Sequence, residues 1–223
     1  MDLDGDGQNE IISGSWPGEI YLFRKKPNGT YAAPETLKAN GRPINVGPAS
    51  AVTAADWDQD GDLDLVIGNI HGELHWMRNN GSAAKWAFAN SEKLSANGQP
   101  IKVNLGDAGP CLTDWNSDGK LDLLVGTGAG EVLFFPGTGA KDKPVLEAAI
   151  TLVDRGDANI ESKSPKRPAI RTKVATADWN GDGMLDLLVG DYVPGQGSTR
   201  EAHGWVWVYL RTASGKTVAA TEK

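Results

Sequence analysis

The sequence predicts an all-β fold made of β-propeller blades, each a meander of four antiparallel strands, and three observations carry that prediction. A nine-residue acidic pattern, D-x-[DN]-x-D-G-x-x-[DE], occurs four times. Each copy leads into a short apolar run that closes on glycine, and a second β-rich run follows across a turn. The pattern returns at a period of roughly fifty to sixty-five residues, which suits one four-stranded unit per repeat. No stretch has the 3.6-residue periodicity of an amphipathic helix.

The four acidic loops share one layout. Positions 1, 3, 5, 7 and 9 are Asp2, Asp4, Asp6, Gln8 and Glu10 in loop 1, and Asp56, Asp58, Asp60, Asp62 and Asp64 in loop 2. They are Asp114, Asn116, Asp118, Lys120 and Asp122 in loop 3, and Asp178, Asn180, Asp182, Met184 and Asp186 in loop 4. Side-chain oxygens at positions 1, 3, 5 and 9 suit a hard cation, because Ca²⁺ takes six to eight oxygen ligands at about 2.3–2.6 Å and a glycine at position 6 lets the loop turn sharply. Position 7 varies and includes Lys120, so only its backbone carbonyl is expected to serve. The prediction is up to four Ca²⁺ sites, one in each loop, between the first and second strands of a blade. Acidic turns that merely solvate strand ends are the plainer alternative, but four copies in register weigh against it. A helix-loop-helix site is excluded by Ser13, Ile67, Val125 and Val189 at position 12, where that motif needs a bidentate Glu. Counting ligand carboxylates ranks loop 2, with four, above loops 3 and 4, with three each.

The strands follow in order. After the loops come Ile11-Ile12-Ser13-Gly14, Leu65-Val66-Ile67-Gly68, Leu123-Leu124-Val125-Gly126 and Leu187-Leu188-Val189-Gly190. Third strands are expected at Glu19–Phe23, Glu73–Met77, Glu131–Phe135 and Trp205–Leu210, and a weaker outer strand at Glu92–Leu94. Turns are expected at Asn28-Gly29, Asn80-Gly81, Gly137-Thr138-Gly139 and Ser214-Gly215. Small-residue first strands precede the later loops at Ala51–Ala55, Pro110–Thr113 and Val174–Ala177. The connections Lys38–Val46 and Ser95–Val103 share one pattern, and a longer polar connection runs from Asp154 to Ala169. One architecture therefore fills residues 1–223, with blades near 1–46 (lacking a first strand), 47–104, 105–168 and 169–223.

The D-x-D-x-D-G-x-x-D loops followed by D-L-L-V-G strands resemble the FG-GAP/VCBS repeat family, the calcium-loop propeller also found in the integrin α-subunit head. The resemblance implies Ca²⁺ at the blade periphery, an extracellular, periplasmic or cell-surface setting, and an interaction module binding a protein or glycan. Family members are usually seven-bladed, whereas this chain holds four units and starts inside a loop. The expectation is a partial propeller whose exposed blade faces are covered by self-association or by a missing propeller segment.

Composition narrows the partners. The formal charge is −7, without a Lys/Arg stripe, which speaks against nucleic acid. Four Ca²⁺ ions carry eight positive charges, which would turn −7 into +1, so the acidity belongs to the loops. No apolar run is long enough for a helical membrane span, and the single cysteine, Cys111, allows no internal disulfide.

Other features have plain explanations. Trp57, Trp115 and Trp179 recur at position 2 of three loops, with Leu3 in the first, and are expected to pack between blades. Trp16, in a turn, is the candidate ligand contact. Arg155-Gly156-Asp157 spells an integrin-recognition tripeptide of a kind that arises often by chance. His71, His75 and His203 lack metal-ligand spacing, and Gly126–Gly130 joins two strands without the helix a phosphate site needs. No enzyme is expected. The alternatives to a general interaction module are a propeller lectin with sugar pockets between blades and a non-catalytic domain of a larger secreted enzyme.

Overall fold

Loops 2 to 4 each connect two neighbouring strands of one antiparallel sheet, and loop 1 leads into the first strand. The computed structural model describes residues 2–82, 84–140, 143–156, 167–195, 201–212 and 217–219. Sheet I pairs β1 (Ile11–Ser13), β2 (Tyr21–Phe23) and β3 (Glu35–Thr36). A small hairpin of β4 (Lys38–Ala39) and β5 (Arg42–Pro43) leads to sheet II, formed in order by β6 (Ala51–Ala55), β7 (Asp64–Gly68), β8 (Leu74–Met77) and β9 (Glu92–Lys93). A second hairpin, β10 (Ser95–Ala96) and β11 (Gln99–Pro100), leads to β12 (Gly109–Thr113), β13 (Asp122–Gly126) and β14 (Val132–Phe135) of sheet III. Next, β15 (Gly137–Ala140) and β16 (Lys143–Leu146) pair with each other and join β10–β11, before β17 (Ile150–Val153) completes sheet III. Sheet IV contains β18 (Ile170–Ala177), β19 (Asp186–Tyr192), β20 (Val206–Arg211) and β21 (Thr217–Ala219). Among the described residues, no helix is long and apolar enough to cross a membrane.

The two matching connections are matching hairpins. Asn40-Gly41 and Asn97-Gly98 both have positive φ, at 50° and 76° and at 47° and 74°. Two consecutive left-handed residues make the tight turn that fits the twist of a two-residue hairpin, and Asn-Gly is its favoured pair.

Alternation along each second strand distributes its side chains to two neighbours. In β7, Leu65 and Ile67 join a core with Leu3, Ile20, Leu22 and Leu37 of the sheet I region. Val66, between them, points to the other side and joins Leu123, Val125 and Phe135 of sheet III. Leu124 of β13 in turn packs with Leu187, Val189 and Tyr209 of sheet IV. Three apolar interlayers thus stack sheets I to IV in sequence.

Glycine at the ends of β7 and β13 makes this stacking possible. A Cβ on Gly68 would lie 2.2 Å from the Ala108 carbonyl oxygen, and one on Gly126 would lie 2.3 Å from that of Thr172. In both cases the first strand of the next sheet begins where any side chain would have to be.

Two expected glycine turns are corrected. Gly137-Thr138-Gly139 is strand β15, not a turn, and a Cβ on Gly137 would come within 2.0 Å of the Leu121 carbonyl oxygen. At Asn80-Gly81, Gly81 has no positive φ, and a Cβ there would sit 2.3 Å from the Lys85 carbonyl oxygen. In both, glycine answers a close backbone approach and not a turn, which a local sequence signal does not distinguish. Gly29, by contrast, has φ +82°. Ser214-Gly215 and Asp157 of the tripeptide lie outside the described residues.

Candidate metal centres

Each acidic loop first organises itself. Loops 2, 3 and 4 run between the first and second strands of sheets II, III and IV, and loop 1 precedes β1. At position 1, one carboxylate accepts two backbone N–H bonds, from positions 5 and 6. In loop 2 these are Asp60 and Gly61 onto Asp56, at 3.0 and 3.1 Å. Loop 3 repeats them with Asp118 and Gly119 onto Asp114, at 3.0 and 2.9 Å, and loop 4 with Asp182 and Gly183 onto Asp178, both at 3.0 Å. In loop 1, Asp6 and Gly7 donate to Asp2 at 3.1 and 2.9 Å. Position 5 then accepts from the N–H of position 7: Gln8, Asp62, Lys120 and Met184 donate to Asp6, Asp60, Asp118 and Asp182. Repeated Asx turns of this kind need no ion to form.

Position 9 does something the sequence did not reveal. Asp64, Asp122 and Asp186 are fully buried and accept N–H bonds from the end of the third strand or just beyond it. Asn79 donates to Asp64 at 2.8 Å, Gly137 to Asp122 at 2.7 Å and Arg211 to Asp186 at 2.8 Å. The second oxygen holds the loop itself in sheets III and IV, through Trp115 N at 2.8 Å and Trp179 N at 3.0 Å. Asp64 instead accepts from Trp76 Nε1 at 3.1 Å, and Glu10 accepts from Leu3 N at 2.8 Å. Burial pushes Asp122 above the ordinary carboxylate range and Asp64 up to about 6, against the opposing pull of their hydrogen bonds.

The loops differ in what they gather. Asp2, Asp4 and Glu10 bring carboxylate oxygens within 4.8 Å of one another, as do Asp56, Asp58 and Asp60. Asp58 is buried, with Oδ1 free of any hydrogen-bond partner, and Arg78 Nε faces its Oδ2 as an ion pair without hydrogen-bond alignment. Desolvation, more than its acidic neighbours, raises the Asp58 carboxyl. In loops 3 and 4 the amides of Asn116 and Asn180 donate to Asp118 and Asp182 at 3.1 and 2.9 Å. Asp6 and Asp64 fall outside the tight carboxylate groups.

Position 2 separates the loops again. Leu3, Trp57 and Trp115 are buried between successive sheets, and Trp57 meets Trp76 edge to face with ring centroids 5.5 Å apart. Trp179 is 63% exposed, which corrects the expected packing role at that position. Position 2 packs toward the following sheet, and among the described residues no sheet follows sheet IV. Trp16 is 70% exposed in the turn between β1 and β2.

Arg24 and Arg78 are functional candidates that the sequence reading missed. Both follow the third strand, one residue after Phe23 and Met77, which pair with Ile11 and Leu65. Aligning the third strands would have shown them: Pro136 and Leu210 hold the same place in sheets III and IV, after Phe135 and Tyr209.

The FG-GAP-like repeat family matches this chain over residues 2–67, 56–125 and 114–189. Cartilage acidic protein 1 of Xenopus tropicalis is 29% identical over 136 residues, which are 57% of this chain and 20% of that protein. The chain thus spans about a fifth of that relative's length. Among solved structures, an Agrocybe aegerita lectin, described for its specific recognition of non-reducing terminal N-acetylglucosamine, aligns with a TM-score of 0.48 at 19% identity. That alignment covers 97% of this chain and 49% of the lectin chain.

Proposed function

The chain belongs to the FG-GAP-like repeat family, and on that premise we propose that it is a calcium-binding β-propeller region serving as an interaction module for a protein or glycan partner. The observation that carries the reading is in loop 2. Three carboxylates converge there within 4.8 Å, and the buried Asp58 presents an oxygen with no hydrogen-bond partner. Like charges at that spacing, one of them buried, repel, and a hard cation relieves the repulsion with the oxygen donors it favours. Positions 1, 3, 5 and 9 would hold the ion with side-chain oxygens and position 7 with its carbonyl. When bound, the ion supplies positive charge that ties the loop between two strands. In an extracellular, periplasmic or cell-surface setting the expected calcium affinity is about 10⁻⁴–10⁻³ M, the range of extracellular modules. No catalytic step is assigned to the chain, alone or within a larger secreted enzyme.

The test is calorimetric titration of metal-stripped chain with CaCl₂. Binding of up to four ions, together with a raised melting temperature, supports the reading. No binding heat and an unchanged melting curve in EGTA overturn it.

A lectin is the second reading, and the exposure of Trp16 favours it. An exposed indole in a turn offers a stacking face for a sugar ring. Glycan-array binding that is lost in Trp16→Ala supports this reading, and binding that survives the substitution removes Trp16 from it.

A further inference from the structure

Position 3 of the loops and the residue that follows the third strand change together within this one chain. Where position 3 is Asp, in loops 1 and 2, the residue after the third strand is Arg24 or Arg78. Where position 3 is Asn, in loops 3 and 4, it is the uncharged Pro136 or Leu210. The contacts explain the match. Arg24 Nη1 pairs with Asp4 Oδ2, while its Nε holds Glu35 at 2.7 Å and its guanidinium lies over the Trp86 ring. Arg78 Nε pairs with the buried Asp58, and its Nη2 stands 4.0 Å from Asp60. In loops 3 and 4 the amide nitrogens of Asn116 and Asn180 reach the same position-5 carboxylates that Arg78 approaches in loop 2.

From this we infer that Arg24 and Arg78 are built-in counter-charges of the first two cation sites. They hold the extra carboxylate in place and lower those sites to the charge level of the other two. The inference rests on the calcium reading above. Four ligand carboxylates against one guanidinium leave three negative charges, the same as three carboxylates with a neutral amide. The affinity order obtained by counting carboxylates, loop 2 above loops 3 and 4, therefore loses its basis. Arg78 faces Asp58 Oδ2 and leaves Oδ1 to an ion, so ion binding at loop 2 works against a cation resident on the same carboxylate.

The Gly61 and Gly119 amides, hydrogen-bonded to position 1 of their loops, serve as site-resolved NMR reporters during titration of the full chain with CaCl₂. Arg78→Met is expected to tighten the affinity read at Gly61 by roughly three- to tenfold and to lower the melting temperature of the metal-free chain. Adding Asp58→Asn is expected to reverse both changes, and Arg78→Lys to keep wild-type behaviour. Asn116→Asp creates a four-carboxylate loop with no arginine on its position-3 side chain, since Arg211 holds the Trp115 carbonyl instead, and is expected to tighten the affinity read at Gly119, which keeps the test open if Arg78→Met does not fold. Unchanged or weakened affinity in Arg78→Met and Asn116→Asp, with normal calcium titration of the wild type, overturns the counter-charge role alone. A wild-type chain whose glycine amides ignore CaCl₂ overturns the calcium reading and this inference with it. The metal-free melting of the Asp58/Arg78 double-mutant cycle then still reports the ion pair itself.

Discussion

Asp64 Oδ1 accepts a hydrogen bond from the Asn79 backbone N–H at 2.8 Å, so the last residue of the acidic loop also holds the chain just beyond the third strand of its sheet. The carboxylate is fully buried, and desolvation raises it to about 6. Its folded-state value lies above its unfolded one, so the folded chain binds the proton more tightly. Stability from this group is therefore highest when it is protonated and falls as pH rises from about 4 through about 6. Glu73, held down to about 2 mainly by its hydrogen bond with Lys93, acts in a lower window and with the opposite sign. In metal-free buffer we expect the melting temperature to fall between about pH 4.5 and pH 6.5, and Asp64→Asn to flatten that slope. Equal slopes in the two proteins would show that Asp64 does not titrate in this window.

Calcium should act in the other direction, because ion and proton compete for the same carboxylates. Binding to the folded state alone adds RT ln(1 + [L]/Kd), about 2.7 kcal/mol per site at a hundredfold excess over Kd. For a chain of this size, 1 kcal/mol moves the melting temperature by about 2–4 °C. EGTA at neutral pH is thus expected to lower it by about 5–10 °C for each site emptied, measured by scanning calorimetry. A shift that is the same at pH 5 and pH 7.5 would contradict the competition.

Position 4 of the loops carries a cost the sequence pattern hides. Gly5 and Gly181 take positive φ there without strain, but Gln59 and Ser117 do so at φ 56° and 63°. A left-handed conformation costs a non-glycine residue about 1–2 kcal/mol. Ser117→Gly and Gln59→Gly are each expected to raise the melting temperature by a few degrees, partly offset by the flexibility glycine adds to the unfolded chain. A lowered melting temperature in both would mean that these side chains hold contacts worth more than the strain.

These cases show which parts of the fold were legible in the sequence. The repeat, the loop positions and the apolar second strands could be read because each is local and recurs. Leu65-Val66-Ile67 announces a strand buried on both faces before any partner is known. What was not legible depends on contacts distant in sequence. Gly137 looks like turn punctuation until the Leu121 carbonyl appears beside it. Arg78 looks like a solvated charge until Asp58 is placed against it, twenty residues away. Trp179 shares its loop position with two buried tryptophans, yet its surroundings are set by what packs on sheet IV and not by its own segment.

The glycines that end the second strands give the sharpest test of that last point. A Cβ at position 126 would collide at 2.3 Å with the Thr172 carbonyl oxygen, a backbone atom that moves only if sheet IV moves. Gly190 holds the equivalent place in sheet IV, and a Cβ there would meet nothing nearer than the Lys173 carbonyl oxygen at 4.0 Å. Gly126→Ala is therefore expected to destabilise by about 1–3 kcal/mol, as overpacking does, and Gly190→Ala by no more than about 0.5 kcal/mol. Tryptophan should follow the same division. Trp57→Ala empties a buried site and is expected to lose about 3–5 kcal/mol, whereas Trp179→Ala should stay within about 0.5 kcal/mol. Urea denaturation of the four variants measures all of these. If Gly190→Ala and Trp179→Ala prove as harmful as their partners, the outer face of sheet IV is covered in solution. A loss that deepens with protein concentration in the wild-type comparison would then identify the cover as a second copy of this chain.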